Sequence, residues 1–235
     1  MASAAEQLAA NLNLGVFSKA TELKQRIWFT IGALIVYRIG TYIPVPGVDA
    51  SVMSDMMAQH GGGGILGMFD MFTGGALRRM TVFALNIMPY ISASIIIQLM
   101  SAAIPSLETL KKEGEQGRKK LNQYTRYLTV FIAMFQSYGI AVGLESMHGS
   151  FGTAVIDPGW FFRFTCVITL VGGTMFLMWV GEQITARGIG NGTSLIIMAG
   201  IVANLPNAAA SLLELGRTGA LSPFFLMLFA VVAVA

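Results

Sequence analysis

The sequence has 235 residues, 54% hydrophobic and 11% charged, with a net charge of +3 and a mean hydropathy of +0.66. Soluble domains carry roughly 25% charged residues, so a water-soluble fold is not expected and the chain is read in membrane spans. The single cysteine, Cys166, excludes an intramolecular disulfide and a cysteine metal cluster.

Residues 1–26 are polar or mildly apolar and show no apolar core followed by a small-residue cleavage site. They are predicted to be a cytoplasmic tail, with the first span acting as its own insertion signal. Charge-poor runs follow at 27–43, 80–103, 128–144, 164–181, 189–213 and 218–235. A helix needs roughly 17 to 25 residues to cross the hydrocarbon, so these predict six spans and an all-helical, polytopic protein. The run 218–235 ends at Ala235 without a polar anchor, which reads as the start of a sixth span in a fragment or an interrupted product.

Basic residues fall in short segments between the runs, a topology signal rather than a nucleic-acid patch. Lys19, Lys24, Arg26, Lys111, Lys112, Arg118, Lys119, Lys120, Arg126 and Arg187 lie on one side, against Arg78, Arg79, Arg163 and Arg217 on the other. The positive-inside rule then places the N-terminus in the cytoplasm. Arg38 sits near the outer end of the first span, where it can snorkel outward or pair, and Pro44 and Pro46 stop that helix.

The stretch 49–79 is too polar and glycine-rich to span. Gly61, Gly62, Gly63 and Gly64 form a hinge, and Ile65, Leu66, Met68, Phe69, Met71 and Phe72 follow as an apolar set before Thr73, Gly74 and Gly75. The set fits either a short helix re-entering from outside or a helix on the periplasmic surface. Irregular backbone at membrane depth is tolerated only inside protein or beside a water-filled cavity.

Two spans carry a matching stripe: Ile87, Ile91, Ser94 and Gln98 on the second, Thr193, Ile197, Gly200 and Asn204 on the fifth. At helical spacing each set shares a face. The stripes fit two aqueous vestibules joined by an aliphatic constriction that gates by dewetting, or ordinary helix packing. Gly139 with Gly143, and Gly172 with Gly173, are expected to let backbones approach. Pro89 is expected to bend the middle of the second span. The 15 methionines suit either a membrane core or an adaptable surface for apolar substrates.

No catalytic pattern appears. The sequence lacks H-E-x-x-H, G-x-S-x-G and a Walker A motif, and His60 and His148 have no ligand partners at metal spacing. Gly188, Gly190 and Gly192 do not follow a strand and lack dinucleotide spacing. No enzyme activity, cofactor or metal is expected.

Two stretches, FALNIMPYISASIIIQLM at 83–100 and FLMWVGEQITARGIGNGTSLIIMAGI at 176–201, closely resemble the signature regions of the SecY family. YRIGTYIPVPG, MFTGGAL, KKEGEQGRKK, QYTRY and FQSYGIA fall in the expected order. The resemblance covers essentially the whole chain and corresponds to the N-terminal half of a pseudo-symmetric ten-span channel. It implies a membrane domain over 27–213, a re-entrant plug at about 62–78, a cytoplasmic loop over 105–127 and the start of span six at 214–235.

By the same resemblance, Ile87, Ile91, Thr193 and Ile197 are pore-ring positions and Ile65, Leu66, Met68, Phe69, Met71 and Phe72 belong to the plug. The second and third spans form one side of a lateral gate, with Ser94 and Gln98 on it. The implied function is a protein-conducting channel subunit of the bacterial inner membrane, for secretion of unfolded preproteins and insertion of membrane proteins. Implied partners are the small membrane subunits SecE and SecG, the SecA ATPase, the ribosome, signal sequences and phospholipids, with no nucleic-acid binding of its own.

Two residues depart from the family pattern. Thr193 stands where an aliphatic residue is usual, and there its methyl is expected to point inward with its hydroxyl on a backbone carbonyl. Asn86 stands where glycine is frequent. The rival readings are a secondary transporter with inverted repeats, which would need an intramembrane carboxylate or an ion cage that no span supplies, and an inactive truncated channel fragment.

Overall fold

Helix α1, Thr21–Gly40, keeps its charges at its ends: Glu22, Lys24 and Arg26 early, Arg38 in the last turn. It stops before the expected prolines. Tyr42 N–H bonds to Ile39 O at 3.1 Å and Ile43 N–H to Gly40 O at 3.3 Å, so the helix unwinds through tight turns ahead of Pro44, which disfavours helical backbone at the preceding residue. The computed structural model describes residues 21–54, 70–146, 148–149 and 152–217.

The run 80–103 is not one continuous helix. Residues 76–87 form a buried elbow of successive turns, with Met80 at φ 47° and Asn86 at φ 50°, and α2 covers only Met88–Ala103. Pro89 therefore sits in the first turn of α2 rather than bending its middle. A proline costs little there, because the first N–H groups of a helix have no intrahelical partner. The elbow is held from outside by Val45 N–H on Met80 O and Val82 N–H on Ile43 O, both at 2.9 Å.

At Ile104 the chain bends by 101° into α3, Pro105–Lys112, with Pro105 again opening the helix. Gly114, at φ 74°, turns it into α4, Glu115–Ser146. The predicted loop 105–127 is thus mostly helical, a hairpin of α3 against the start of α4. With 32 residues, α4 is about 48 Å long at 1.5 Å per residue, well beyond a hydrocarbon core of about 30 Å. Its basic N-terminal turns extend past the apolar run.

A two-stranded hairpin, β1 His148–Gly149 and β2 Gly152–Thr153, joins α4 to α5, Trp160–Arg187, and then α6, Gly192–Arg217. Among the described residues two helices, α4 and α5, are long and apolar enough to cross a membrane, or three if α2 and α3 count as one bent span. In α6 the apolar part is the shorter Gly192–Pro206. Of the predicted start of span six at 214–235, residues 214–217 instead continue α6, and 218–235 lie outside the described residues.

Helix α4 packs on α2 and α5 through Thr125, Thr129, Ala133, Ser137 and Ala141, all buried and four residues apart. The hydroxyls of Thr125, Thr129 and Ser137 turn back to carbonyls four residues earlier, which satisfies them without a partner helix. Gly139 and Gly143 are not in this contact. A side chain added at either would meet nothing within 4 Å, so the expected close approach lies instead on the Thr/Ala/Ser stripe. Of the pair in α5, only Gly173 is a close contact, against the Val82 carbonyl, while Gly172 is open.

Arginine–carboxylate pairs pin both ends of α4 to α5. Arg126 grips Glu182 with two hydrogen bonds of 3.0 and 2.6 Å. At the other end Arg163 bonds Glu145 at 2.8 and 2.6 Å, and the Gly159 N–H adds a bond of 3.0 Å. The Arg163 guanidinium thereby holds the Glu145 carboxyl below the ordinary carboxylate range.

Candidate functional site

The aliphatic residues singled out in the sequence meet in one cluster between the elbow, α5 and α6. Tyr37, Phe83, Ile87, Leu177, Val180, Ile184 and Ile196 are buried in it, and Ile91 and Ile197 are partly buried against it. Ile87 is not within α2 but caps it, at φ −95° and ψ 7°, and is fully buried. Ile91 lies one turn further on.

Gly181 marks the point of convergence. A Cβ there would touch Thr193 Cγ2 at 3.4 Å and the Cδ1 atoms of Ile196 and Ile87 at 3.6 Å. Thr193 therefore presents its methyl to the cluster. Its hydroxyl goes to the side chain of Asn191 at 2.5 Å, not to a backbone carbonyl. Asn191 Oδ1 also accepts the Thr193 N–H at 3.0 Å, a side-chain cap on the start of α6.

The C-terminal part of the α2 stripe is polar. Gln98 is exposed, Ser94 half-buried, and Gln98 Nε2 donates to Ser94 Oγ at 3.3 Å. Helix α2 lies against α4. Aromatic rings edge the cluster: Tyr37 on Phe83 with centroids 6.2 Å apart, and Phe83 on Phe176 at 5.9 Å.

Of the segment expected to re-enter, Ile65, Leu66, Met68 and Phe69 lie outside the described residues. Met71 and Phe72 are described, and their side chains are 54% and 41% exposed. Their backbone is anchored inward. Asn86 Nδ2 donates to Phe72 O at 3.1 Å and Asn204 Nδ2 to Met71 O at 3.3 Å. Gly200 lies directly against the Phe72 carbonyl, where a Cβ would collide with it. The end of this segment thus rests on the C-terminal half of the α6 stripe, at Gly200 and Asn204.

Arg38 reaches past the C-terminal end of α1 and pairs there. Its Nη1 donates to Gly74 O at 3.0 Å and its Nη2 to the Tyr42 hydroxyl at 3.1 Å, and Arg79 stacks 4.4 Å over the Tyr42 ring. Among the described residues no three potential metal ligands converge. Sequence reasoning missed Tyr37 and the role of Asn86. The second had a signal, since glycine frequent at one position marks left-handed backbone, and asparagine is among the few other residues that adopt it.

The helical arrangement has known counterparts among solved structures. It is similar to a solved structure described as "The structure of a protein conducting channel", with a TM-score of 0.53 and 20% identity, covering 76% of this chain and 36% of that one. It is equally similar, at a TM-score of 0.53, 20% identity and the same 76% and 36% coverage, to Sec61 in the canine ribosome–channel complex from the endoplasmic reticulum. The SecY family model matches residues 81–235. The chain is 60% identical over 209 residues to the protein translocase subunit SecY of Rickettsia typhi, and 59% over 214 residues to that of Escherichia coli K12. These matches cover 88% and 91% of the chain, and the chain belongs to the SecY family. It spans about half the length of these relatives, 48% of each.

Proposed function

We propose that the chain builds half the wall of a channel through which unfolded preproteins cross the bacterial inner membrane, and from which membrane proteins are released into it. The supporting observation is the meeting of Ile87 and Ile91 with Ile197 and the Thr193 methyl in one apolar cluster, with the segment carrying Met71 and Phe72 anchored on the C-terminal half of the α6 stripe. Ile87, Ile91, Thr193 and Ile197 form the ring on this side, the segment around 62–78 is the plug, and Ser94 and Gln98 face the lateral gate. The channel is passive, and a partner supplies the energy.

A stalled translocating polypeptide tests this. With a photo-crosslinker in place of Ile91 or Ile197, adducts to the polypeptide are expected. A crosslinker at Phe131, on the exposed face of α4, is expected to give none. Equal labelling from all three positions would remove the assignment.

SecE and SecG as membrane subunits, and SecA and the ribosome as cytosolic partners, fit this function, and a solved structure of similar fold is a ribosome–channel complex. The α3–α4 hairpin offers exposed Lys111, Lys112, Arg118, Lys119 and Lys120. Each is worth about 1 kcal/mol beside an anionic surface, which suits a cytosolic partner or phospholipid headgroups. That requires the hairpin and the N-terminus to be cytoplasmic, as the charge distribution favours. A Glu115→Cys variant in intact cells is expected to resist an impermeant thiol reagent, and labelling from outside would reverse the orientation.

A further inference from the structure

Four successive carbonyls, those of residues 71–74, each accept a hydrogen bond from a side chain elsewhere in the bundle. Asn204 Nδ2 from α6 reaches Met71 O at 3.3 Å, and Asn86 Nδ2 from the elbow reaches Phe72 O at 3.1 Å. From α1, the Tyr37 hydroxyl reaches Thr73 O at 3.5 Å and Arg38 Nη1 reaches Gly74 O at 3.0 Å. Residues 70–73 are a short last turn of helix that ends at Gly74, and the final carbonyls of a helix lack intrahelical partners and take them from elsewhere.

We infer that Asn86 and Asn204 are positioning residues that tie the inner end of the plug to both walls of the constriction, and so set how tightly the resting channel is closed. This rests on the channel function proposed above. Asn86 carries two unfavourable features: a left-handed backbone at φ 50°, and a buried Oδ1 with no hydrogen-bond partner. Glycine at that position would avoid both. The contact that glycine could not make is the hydrogen bond that Asn86 Nδ2 donates to Phe72 O. Asn204 lies one turn beyond Gly200 on the same face of α6, and the bare Gly200 backbone is what lets the Phe72 carbonyl approach near enough for the neighbouring Met71 carbonyl to meet Asn204.

The two asparagines reach the segment from different walls. Asn86 belongs to the elbow that leads into Ile87 and α2, and Asn204 to the helix that carries Thr193 and Ile197. Moving these walls apart therefore breaks the bond at Met71 or the bond at Phe72. The bonds within the segment, such as Gly75 N–H on Asp70 O at 3.1 Å and Arg78 N–H on Asp70 Oδ1 at 2.8 Å, survive that movement, so the segment can leave one wall as a unit.

The test measures resting ion conductance in planar bilayers, using the channel completed with its second half. The double variant Asn86→Gly, Asn204→Leu is expected to raise resting conductance between about fivefold and a hundredfold, the range set by losing two net hydrogen bonds. Each single variant should lie between, and Asn204→Gln, which keeps a donor, should fall back towards the unaltered channel. Asn86→Gly should leave the thermal unfolding midpoint in detergent unchanged, because glycine suits the backbone there. A lowered midpoint with unchanged conductance would show a merely structural role and overturn the inference. Deleting 62–69 separates the two levels. If the deletion raises conductance and the double variant does not, the tether is wrong and the plug stands. If neither raises it, both are wrong.

Discussion

Replacing Ile87, Ile91 and Ile197 together by serine, in a completed channel that also lacks 62–69, is expected to produce a large standing ion leak. Two properties of the cluster set the size of the effect. Its lining is aliphatic, so a narrow passage between these side chains stays dry when nothing occupies it, and three hydroxyls replace that lining with groups that each gain from hydration. Leaving such a hydroxyl dry without a partner costs roughly 1 to 3 kcal/mol, so water and then ions enter. Ile87 is fully buried, and truncating it also opens a cavity at a cost of about 2 to 5 kcal/mol on the scale of isoleucine to alanine. The Ile91→Ser, Ile197→Ser pair, both at partly buried positions, therefore serves as the companion that keeps its fold. Conductance in planar bilayers is the measurement. No leak from either variant would mean that the stripe is helix packing.

The second large effect concerns the chain on its own. Expressed alone in a strain with a conditional export defect, it is expected to restore no export; with a separately expressed second half, it is expected to restore growth. The chain spans 48% of its curated relatives, and a constriction walled on one side cannot seal or guide a polypeptide. Exposed Gln98 spends one hydrogen bond on Ser94, and its remaining amide groups would face lipid in the half-channel, at a cost on the order of a few kcal/mol for each left unpaired. That cost favours association with the missing wall. Export by the chain alone would show that it holds a complete path.

The outcome at different elements explains what the sequence could and could not reveal. Helices α4 and α5 were legible because a long apolar run bounded by charges has few other solutions. Even the charges that close the α5 run, Arg163 and Glu182, proved to be the residues paired to α4. The elbow was not legible. Phe83, Ala84, Leu85 and Ile87 are as apolar as any helix and equally buried, and hydropathy records burial rather than backbone conformation. Within 83–87 only Asn86 broke the pattern, and its meaning needed the backbone angle.

Glycine spacing misled for a related reason. Small-residue motifs identify a face that can be approached, and Gly139 with Gly143 has nothing against it in this chain, whereas the threonines and alanines of the same helix do. At the candidate site the aliphatic members were readable from spacing and resemblance. The carbonyl acceptors of 71–74 were not, because every residue has a carbonyl and no sequence shows where it points.

The bend at Ile104 has a mechanical side. The α3–α4 hairpin is welded by Gly117 closing on the Leu110 carbonyl, and it joins the inner end of α2 to a rod that continues through the bilayer. A load at the hairpin tip therefore acts through a moment arm. Because α2 and α4 also pack against each other, a push there is shared between the two helices rather than taken by either alone.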